Sequence, residues 1–154
     1  QLMPRVPIVR VIDQHSRQFY LDREGFVIPV SSQYASRVPV ATGALNPVNG
    51  MKLDKKQQLF YGSLIRIAEA IRADSFANSL VEQIDQDANG EFTLIPKIGN
   101  EKILLGGSDM IEDKLDRLKL FYSENMGRQG WNVYQTISVK FKGQIVGKKS
   151  NQES

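Results

Sequence analysis

Asp85-Gln86-Asp87-Ala88-Asn89-Gly90 sets oxygen-bearing side chains at the alternating positions that open an EF-hand calcium loop. Such a loop also needs a bidentate acid at its last position, which here is Pro96. The flanking residues read as strands, so the hexapeptide is expected to be a hairpin tip. Asp22, Glu24, Asp85 and Asp87 are the carboxylates available for glycosidase-type acid/base work. No aromatic platform lies near them in sequence, and acids at turns are ordinarily solvated. His15 is the single histidine, in a polar turn between Gln14 and Ser16. A Ser-His-Asp arrangement would depend on that one surface residue. Zero cysteines remove thiolate metal sites, thiol nucleophiles and disulfides together. Gly99-Asn100 and Gly106-Gly107 lack the spacing of a phosphate-cradling loop. No catalytic residue, metal site or cofactor is expected.

With 154 residues, 41% of them apolar and 24% charged, the chain describes one globular domain, or one domain and a fragment of another. The absence of cysteine leaves the redox compartment open. No apolar run of about 18 residues exists to span a bilayer. The opening Gln-Leu-Met-Pro is not a signal peptide and reads as the start of an excised piece. A net charge of +3 is too mild to imply nucleic acid. The surplus collects late in the chain, where Lys140, Lys142, Lys148 and Lys149 occur without an acid between Val139 and Lys149. No aromatic interleaving or glycine-rich loop makes this run a phosphate patch, so it reads as a charged strand edge and tail.

The elements that would position these residues alternate between two periods. Residues 6–12 form a β-rich run with Pro7 at its entry. Phe19-Tyr20-Leu21 and Phe26-Val27-Ile28 flank a turn ending in Gly25, a hairpin. Residues 31–50 are a crossing connection with one apolar piece, Val38-Pro39-Val40. Asp54 and Gln57 form a capping box for a helix whose stripe is Phe60, Leu64, Ile67 and Ile71, fading near Asp74. Residues 79–106 make a three-strand meander, starting at Leu80 and turning at Asn89-Gly90 in a two-residue turn and again at Gly99-Asn100. A second helix begins at Ser108 or Asp109, buries Ile111, Leu115, Leu118 and Tyr122 with Phe121 beside them, and stops at Gly127.

The last element reads as one long strand after Gly130. Trp131, Val133, Ile137, Val139, Phe141 and Ile145 face the core, while Ser138, Lys140 and Lys142 face water. Trp131 is expected to be a core anchor. The fold class is α+β, a mainly antiparallel sheet with two helices packed on it. A strand that closes such a sheet can leave an edge open, and its unpaired N–H and C=O groups can accept a strand from another chain.

Three stretches, spanning nearly the whole chain, resemble the extracytoplasmic β domain of the FtsQ/DivIB cell-division family, in its Bacteroidetes branch. The first is Arg5-Val6-Pro7-Ile8-Val9-Arg10-Val11 with Phe19-Tyr20-Leu21-Asp22 and Gly25. The second is Thr93-Leu94-Ile95-Pro96, Gly99-Asn100 and Ile103-Leu104-Leu105-Gly106, running into Lys114-Leu115 and Leu118-Lys119-Leu120-Phe121-Tyr122. The third is Gly130-Trp131-Asn132, Tyr134 and Ile137 through Val146. The resemblance implies a non-enzymatic divisome scaffold for septum formation. The full-length protein would have a cytoplasmic tail, one membrane-anchoring helix and a POTRA domain before this domain, on the periplasmic side of the inner membrane. Residues 1–6 would end the POTRA domain, 7–149 form the β domain, and 150–154 a disordered tail. The implied partners are FtsB/DivIC-like and FtsL-like proteins.

The same resemblance implies strand addition at Lys140, Phe141, Lys142, Gly143, Gln144, Ile145 and Val146, with Lys140-Phe141 matching a basic-aromatic contact pair. Main-chain hydrogen bonds would supply affinity, and Lys140 and Lys142 would meet acids of the partner. Phe141 would either anchor the strand in the core, as alternation favours, or cover the incoming strand. Proline at 144 would block docking if that N–H points outward. The alternatives are a POTRA-like or chaperone module of the envelope and a cell-wall hydrolase or binder. No specific residue speaks for the first, and the second lacks a catalytic constellation.

Overall fold

A computed structural model describes residues 5–32, 35–129, 134–141 and 143–149. The expected Trp131 anchor, Gly130, Lys142 and the terminal stretches 1–4 and 150–154 lie outside the described residues. The order is β1 (Pro7–Ile12), β2 (Gln18–Asp22), β3 (Val27–Pro29), β4 (Val40–Gly43), α1 (Lys55–Ala73), α2 (Ser75–Leu80), β5 (Val81–Gln86), β6 (Phe92–Pro96), β7 (Lys102–Gly106), α3 (Ile111–Gln129), β8 (Tyr134–Ser138) and β9 (Val146–Lys149). The strands form one sheet ordered β3-β2-β1-β4-β5-β6-β7-β8-β9. It is α+β and mostly antiparallel, with parallel pairs at β1/β4, β4/β5 and β7/β8.

Two of the parallel pairs follow from helical crossovers, while β1/β4 is reached through β2, β3 and a non-helical connection. α1 and α2 carry the chain from β4 to β5, and α3 carries it from β7 to β8. β5 and β7 run the same way, separated by two antiparallel steps, and both crossovers move in the same direction along the sheet. Crossovers of one hand therefore place all the helices on one face. Their contacts agree: Ser108 Oγ donates to Ser63 Oγ at 3.3 Å, and the Phe76 and Tyr122 rings lie 5.7 Å apart.

Pairing lines up the core. Phe19, Val11, Ala41, Ile84, Leu94, Ile103, Ile137 and Gly147 are successive partners across eight strands. All but the last are buried beneath the helix residues Leu64, Ile67, Ile71, Leu115, Leu118 and Tyr122. The next row over, Thr42, Asp85, Thr93, Leu104, Ser138 and Val146, lies on the opposite face, which carries polar groups. There Thr42 Oγ1 donates to Asp85 Oδ1 at 2.8 Å and accepts from Gln83 Nε2 at 2.7 Å.

The capping box at Asp54 and Gln57 is present in both directions, and the α3 stripe is buried as expected. Other expectations are corrected. β4 interrupts the 31–50 connection and occupies the middle of the sheet. Its Gly43, at φ 103, could not carry a Cβ without overlapping the Gln86 carbonyl oxygen. Leu80 ends α2 rather than opening a strand, because Asp74 caps a new helix through Ala77 N–H. Tyr61 is buried in the α1 stripe, while Phe60 packs at its rim. The Asn89-Gly90 turn is longer than two residues: Gly90 N–H closes on the Asp87 carbonyl, and Gly90 rather than Asn89 takes positive φ. α3 begins at Ile111 and continues past Gly127 to Gln129.

The long terminal strand is the largest correction. β8 ends at Ser138, a turn follows, and β9 folds back antiparallel on β8, with Ser138 opposite Val146 and Ile137 opposite Gly147. Gln144 N–H donates to the Phe141 carbonyl at 3.1 Å, and Gly143 adopts φ 68. Alternation continues in the sequence through a segment whose backbone reverses.

Candidate protein-binding edge

The two margins of the sheet differ. At β3, Val27 N–H donates to the Met51 carbonyl, and Phe26 bridges to Lys52. Pro29 has no N–H to offer. That margin is largely covered. At the other margin β9 pairs with β8 alone among the described residues. It is four residues long, with Val146, Lys148 and Lys149 exposed.

The hairpin leading to this margin is held by α3. The Arg117 side chain is only 14% exposed. Its Nε donates to Asp113 Oδ2 at 2.9 Å, one terminal nitrogen donates to the Val139 carbonyl at 3.2 Å, and the other donates to the Gln144 carbonyl. One planar guanidinium thus ties both limbs of the hairpin to one helix, which a lysine's single ammonium could not do with the same fixed geometry. In sequence the pair Asp113 and Arg117 reads as an ordinary i,i+4 surface bridge. Its reach to residues 139 and 144 is visible only in three dimensions.

The expected contact residues divide accordingly. Val139 is buried, and its N–H still donates to the Leu104 carbonyl of β7. Lys140 lies along Gly106, and its Nζ donates to Glu91 Oε1 at 3.0 Å. Phe141 is 63% exposed, which overturns the core reading that alternation favoured. The turn closed by Gln144 N–H on the Phe141 carbonyl leaves the ring largely in solvent. Gly143 and Gln144 are exposed in that turn, Ile145 packs partly against the core, and Val146 is 55% exposed. The structure therefore gathers Phe141 and Val146 as exposed apolar groups beside lysines. It also alters the meaning of proline at 144: the N–H there closes the turn, so the substitution would break the hairpin itself.

Of the carboxylates considered for chemistry, Glu24 accepts from Arg5, Asp85 accepts from Thr42 on the sheet face, and Asp22 and Asp87 organise turns. Asp87 Oδ1 accepts from Asn89 and Glu91 N–H groups, and Asp22 Oδ1 accepts from Glu24 and Phe26 N–H groups. Asp13 does the same for His15 and Arg17, leaving His15 exposed at the surface. Among the described residues no group of three or more His, Cys, Asp or Glu side chains could hold a metal ion.

In the core near the start of β7, Tyr122 of α3 donates to Glu101 Oε2 at 2.6 Å. Burial and the adjacent carboxylate push the Tyr122 hydroxyl far above the ordinary phenol range. Its protonated form is thus the one the fold retains. As pH rises past about 10 the unfolded tyrosine loses its proton while the folded one keeps it, so the contribution to stability declines. The stability gap between the protein and a Tyr122→Phe variant should therefore shrink above pH 10 in denaturant titrations. A gap independent of pH would contradict this assignment.

Comparison with known proteins accords with this architecture. The family model "FtsQ/DivIB, C-terminal related" matches residues 6–148. A curated relative, "Cell division protein FtsQ" of Rhodothermus marinus, is 28% identical over 148 residues, covering 92% of this chain and 52% of the relative. The chain thus spans about half the length of the relative it matches. With the family match running from β1 into β9, the chain belongs to the FtsQ/DivIB C-terminal related family.

Proposed function

We propose that this domain is a non-catalytic docking module of the cell-division machinery, receiving a strand from another divisome protein at the margin formed by the β8–β9 hairpin. Family membership supports a role in cell division. The observation that carries the docking reading is the asymmetry of the sheet: one margin is covered by the Met51-Lys52 segment, and the other offers backbone beside Phe141 and Val146. Strand addition uses backbone hydrogen bonds for affinity and neighbouring side chains for selection. Lys140, Lys148 and Lys149 favour an acidic partner segment and would speed its encounter.

The partners in this reading are FtsB/DivIC-like and FtsL-like proteins. Residues 1–6 would be the end of a POTRA domain, 7–149 the docking domain and 150–154 a tail. The full-length protein would be held on the periplasmic side of the inner membrane at the septum by an anchor preceding that domain. No helix among the described residues is long and apolar enough to cross a membrane. The deciding experiment titrates this domain with the soluble ectodomain of the FtsB/DivIC-like protein from the same genome, by calorimetry, with amide shifts mapped by NMR. Saturable binding with shifts centred on residues 134–149 supports the reading. Binding centred on β3 or on the helices would place the interface elsewhere.

A further inference from the structure

α1 carries a second stripe besides the one it buries. Leu64, Ile67 and Ile71 face the core, while Leu59, Gly62, Arg66, Glu69 and Ala73 recur on the outer side at alternating spacings of three and four, the seam pattern of paired helices. Leu59 is 86% exposed, and Gly62, Arg66 and Ala73 are exposed with it. Gly62, Arg66, Glu69 and Ala73 line one open groove, to which Arg23 and Glu112 also contribute. A Cβ built on Gly62 meets nothing within 4 Å, so nothing inside the domain requires glycine there. Glycine in a helix interior is nevertheless destabilising relative to alanine. Arg66 forms no ion pair among the described residues, and Glu69 has only a long contact, 3.9 Å from the exposed Arg23.

We propose that this seam receives a second copy of the chain, with α1 packing antiparallel on α1 about a twofold axis level with Ile67 and Ala68. An isologous interface must be self-complementary, and this register makes the seam so. Arg66 of each copy faces Glu69 of the other, Gly62 faces Ala73, and Leu59 reaches past Ala73 to the start of α2. The small residues let the helix axes approach closely, and the two reciprocal ion pairs lie between them. Docking of an unlike helix would need none of this internal symmetry. Leu59 is the one large apolar group of the seam, so the interface is small and the dimer transient, with a dissociation constant of about 0.1 mM. α1 packs on β1, far across the sheet from β9, so the dimer leaves both docking margins free.

Sedimentation equilibrium of the chain from about 10 μM to about 1 mM reads the association. Arg66→Glu and Glu69→Arg each set like charges against one another, and each is expected to weaken the dimer at least about tenfold. The double variant Arg66→Glu, Glu69→Arg exchanges the charges and should restore association to within about threefold of the parent. Gly62→Leu has room in the single copy, so it should melt no lower than the parent, yet associate at least about tenfold more weakly because it fills the seam.

A chain that stays monomeric at about 1 mM overturns the proposal. Failure of the double exchange to restore association overturns it as well. So does a dimer indifferent to the single reversals and to Gly62→Leu; if such a dimer dissociates when the FtsB/DivIC-like ectodomain is added, the copies pair through the β9 margin instead. Amide shifts centred on α1 when that ectodomain is added to a monomeric chain give this face to the other protein, and likewise overturn the proposal.

Discussion

Phe141→Ala is expected to weaken binding of the FtsB/DivIC-like ectodomain by about 30-fold, while the melting temperature stays within about 2 °C of the parent. The ring is 63% exposed, so the folded domain gains little from it alone. An aromatic group at the centre of a docking surface, by contrast, commonly contributes about 2 kcal/mol or more when a partner covers it. The adjacent Val139→Ala provides the contrast. Val139 is fully buried, and truncating it should lower stability by about 2 kcal/mol with no loss of affinity beyond that caused by unfolding. Lys140→Glu should act on the association rate and its salt dependence, since Lys140 is a partly exposed charge beside Glu91. Calorimetry and stopped-flow fluorescence, with unfolding monitored in parallel, separate these effects. If Phe141→Ala binds as the parent does, residues 140–146 are not the contact surface.

That contrast marks where sequence reasoning succeeded and where it stopped. Local rules were sufficient at Asp54 and Gln57, because a capping box is made within four residues of chain, and along Ile111, Leu115, Leu118 and Tyr122, because helical periodicity needs only one apolar neighbour surface. They failed at β4, whose four residues include only two apolar ones. Its place in the middle of the sheet comes from pairing with β1 and β5, two elements far away in the chain. They also failed at the terminal segment. Alternation there predicts a straight strand, and Gly143 is a weak local sign of reversal. What fixes the reversal is Arg117, more than twenty residues earlier, bonded to carbonyls on both limbs. Charge and family likeness single out the lysine-rich margin proposed for docking, whereas the exposure of Phe141 was not readable from the sequence.

Lys114→Met is expected to destabilise the domain by about 3 kcal/mol, the larger of the two stability changes, and it concerns a residue that would pass in sequence for an ordinary helix-surface lysine. Its side chain is 2% exposed. The ammonium donates to the Leu105 carbonyl at 2.9 Å, to the Gly107 carbonyl at 3.0 Å and to Asp109 Oδ1 at 3.3 Å. These acceptors lie where β7 ends and the chain turns into α3, the crossover that sets β8 in place. Replacing a buried ion pair with apolar groups can be neutral when every polar partner is removed with it. Here the carbonyls are backbone and remain. Leaving each without its donor costs about 1–3 kcal/mol, whereas methionine recovers the packing of the lysine stem but none of those bonds. The unsatisfied carbonyls therefore outweigh the relief of desolvating one ammonium. Lys119→Met, at an exposed position of the same helix, should change stability by less than about 0.5 kcal/mol. Chemical denaturation of the pair decides the matter: equal stabilities would mean that Lys114 is not what holds the end of β7. A loss confined to Lys114→Met, with β8 and β9 amides exchanging faster than those of β1, would trace the fixing of the β8–β9 hairpin to this one buried cation.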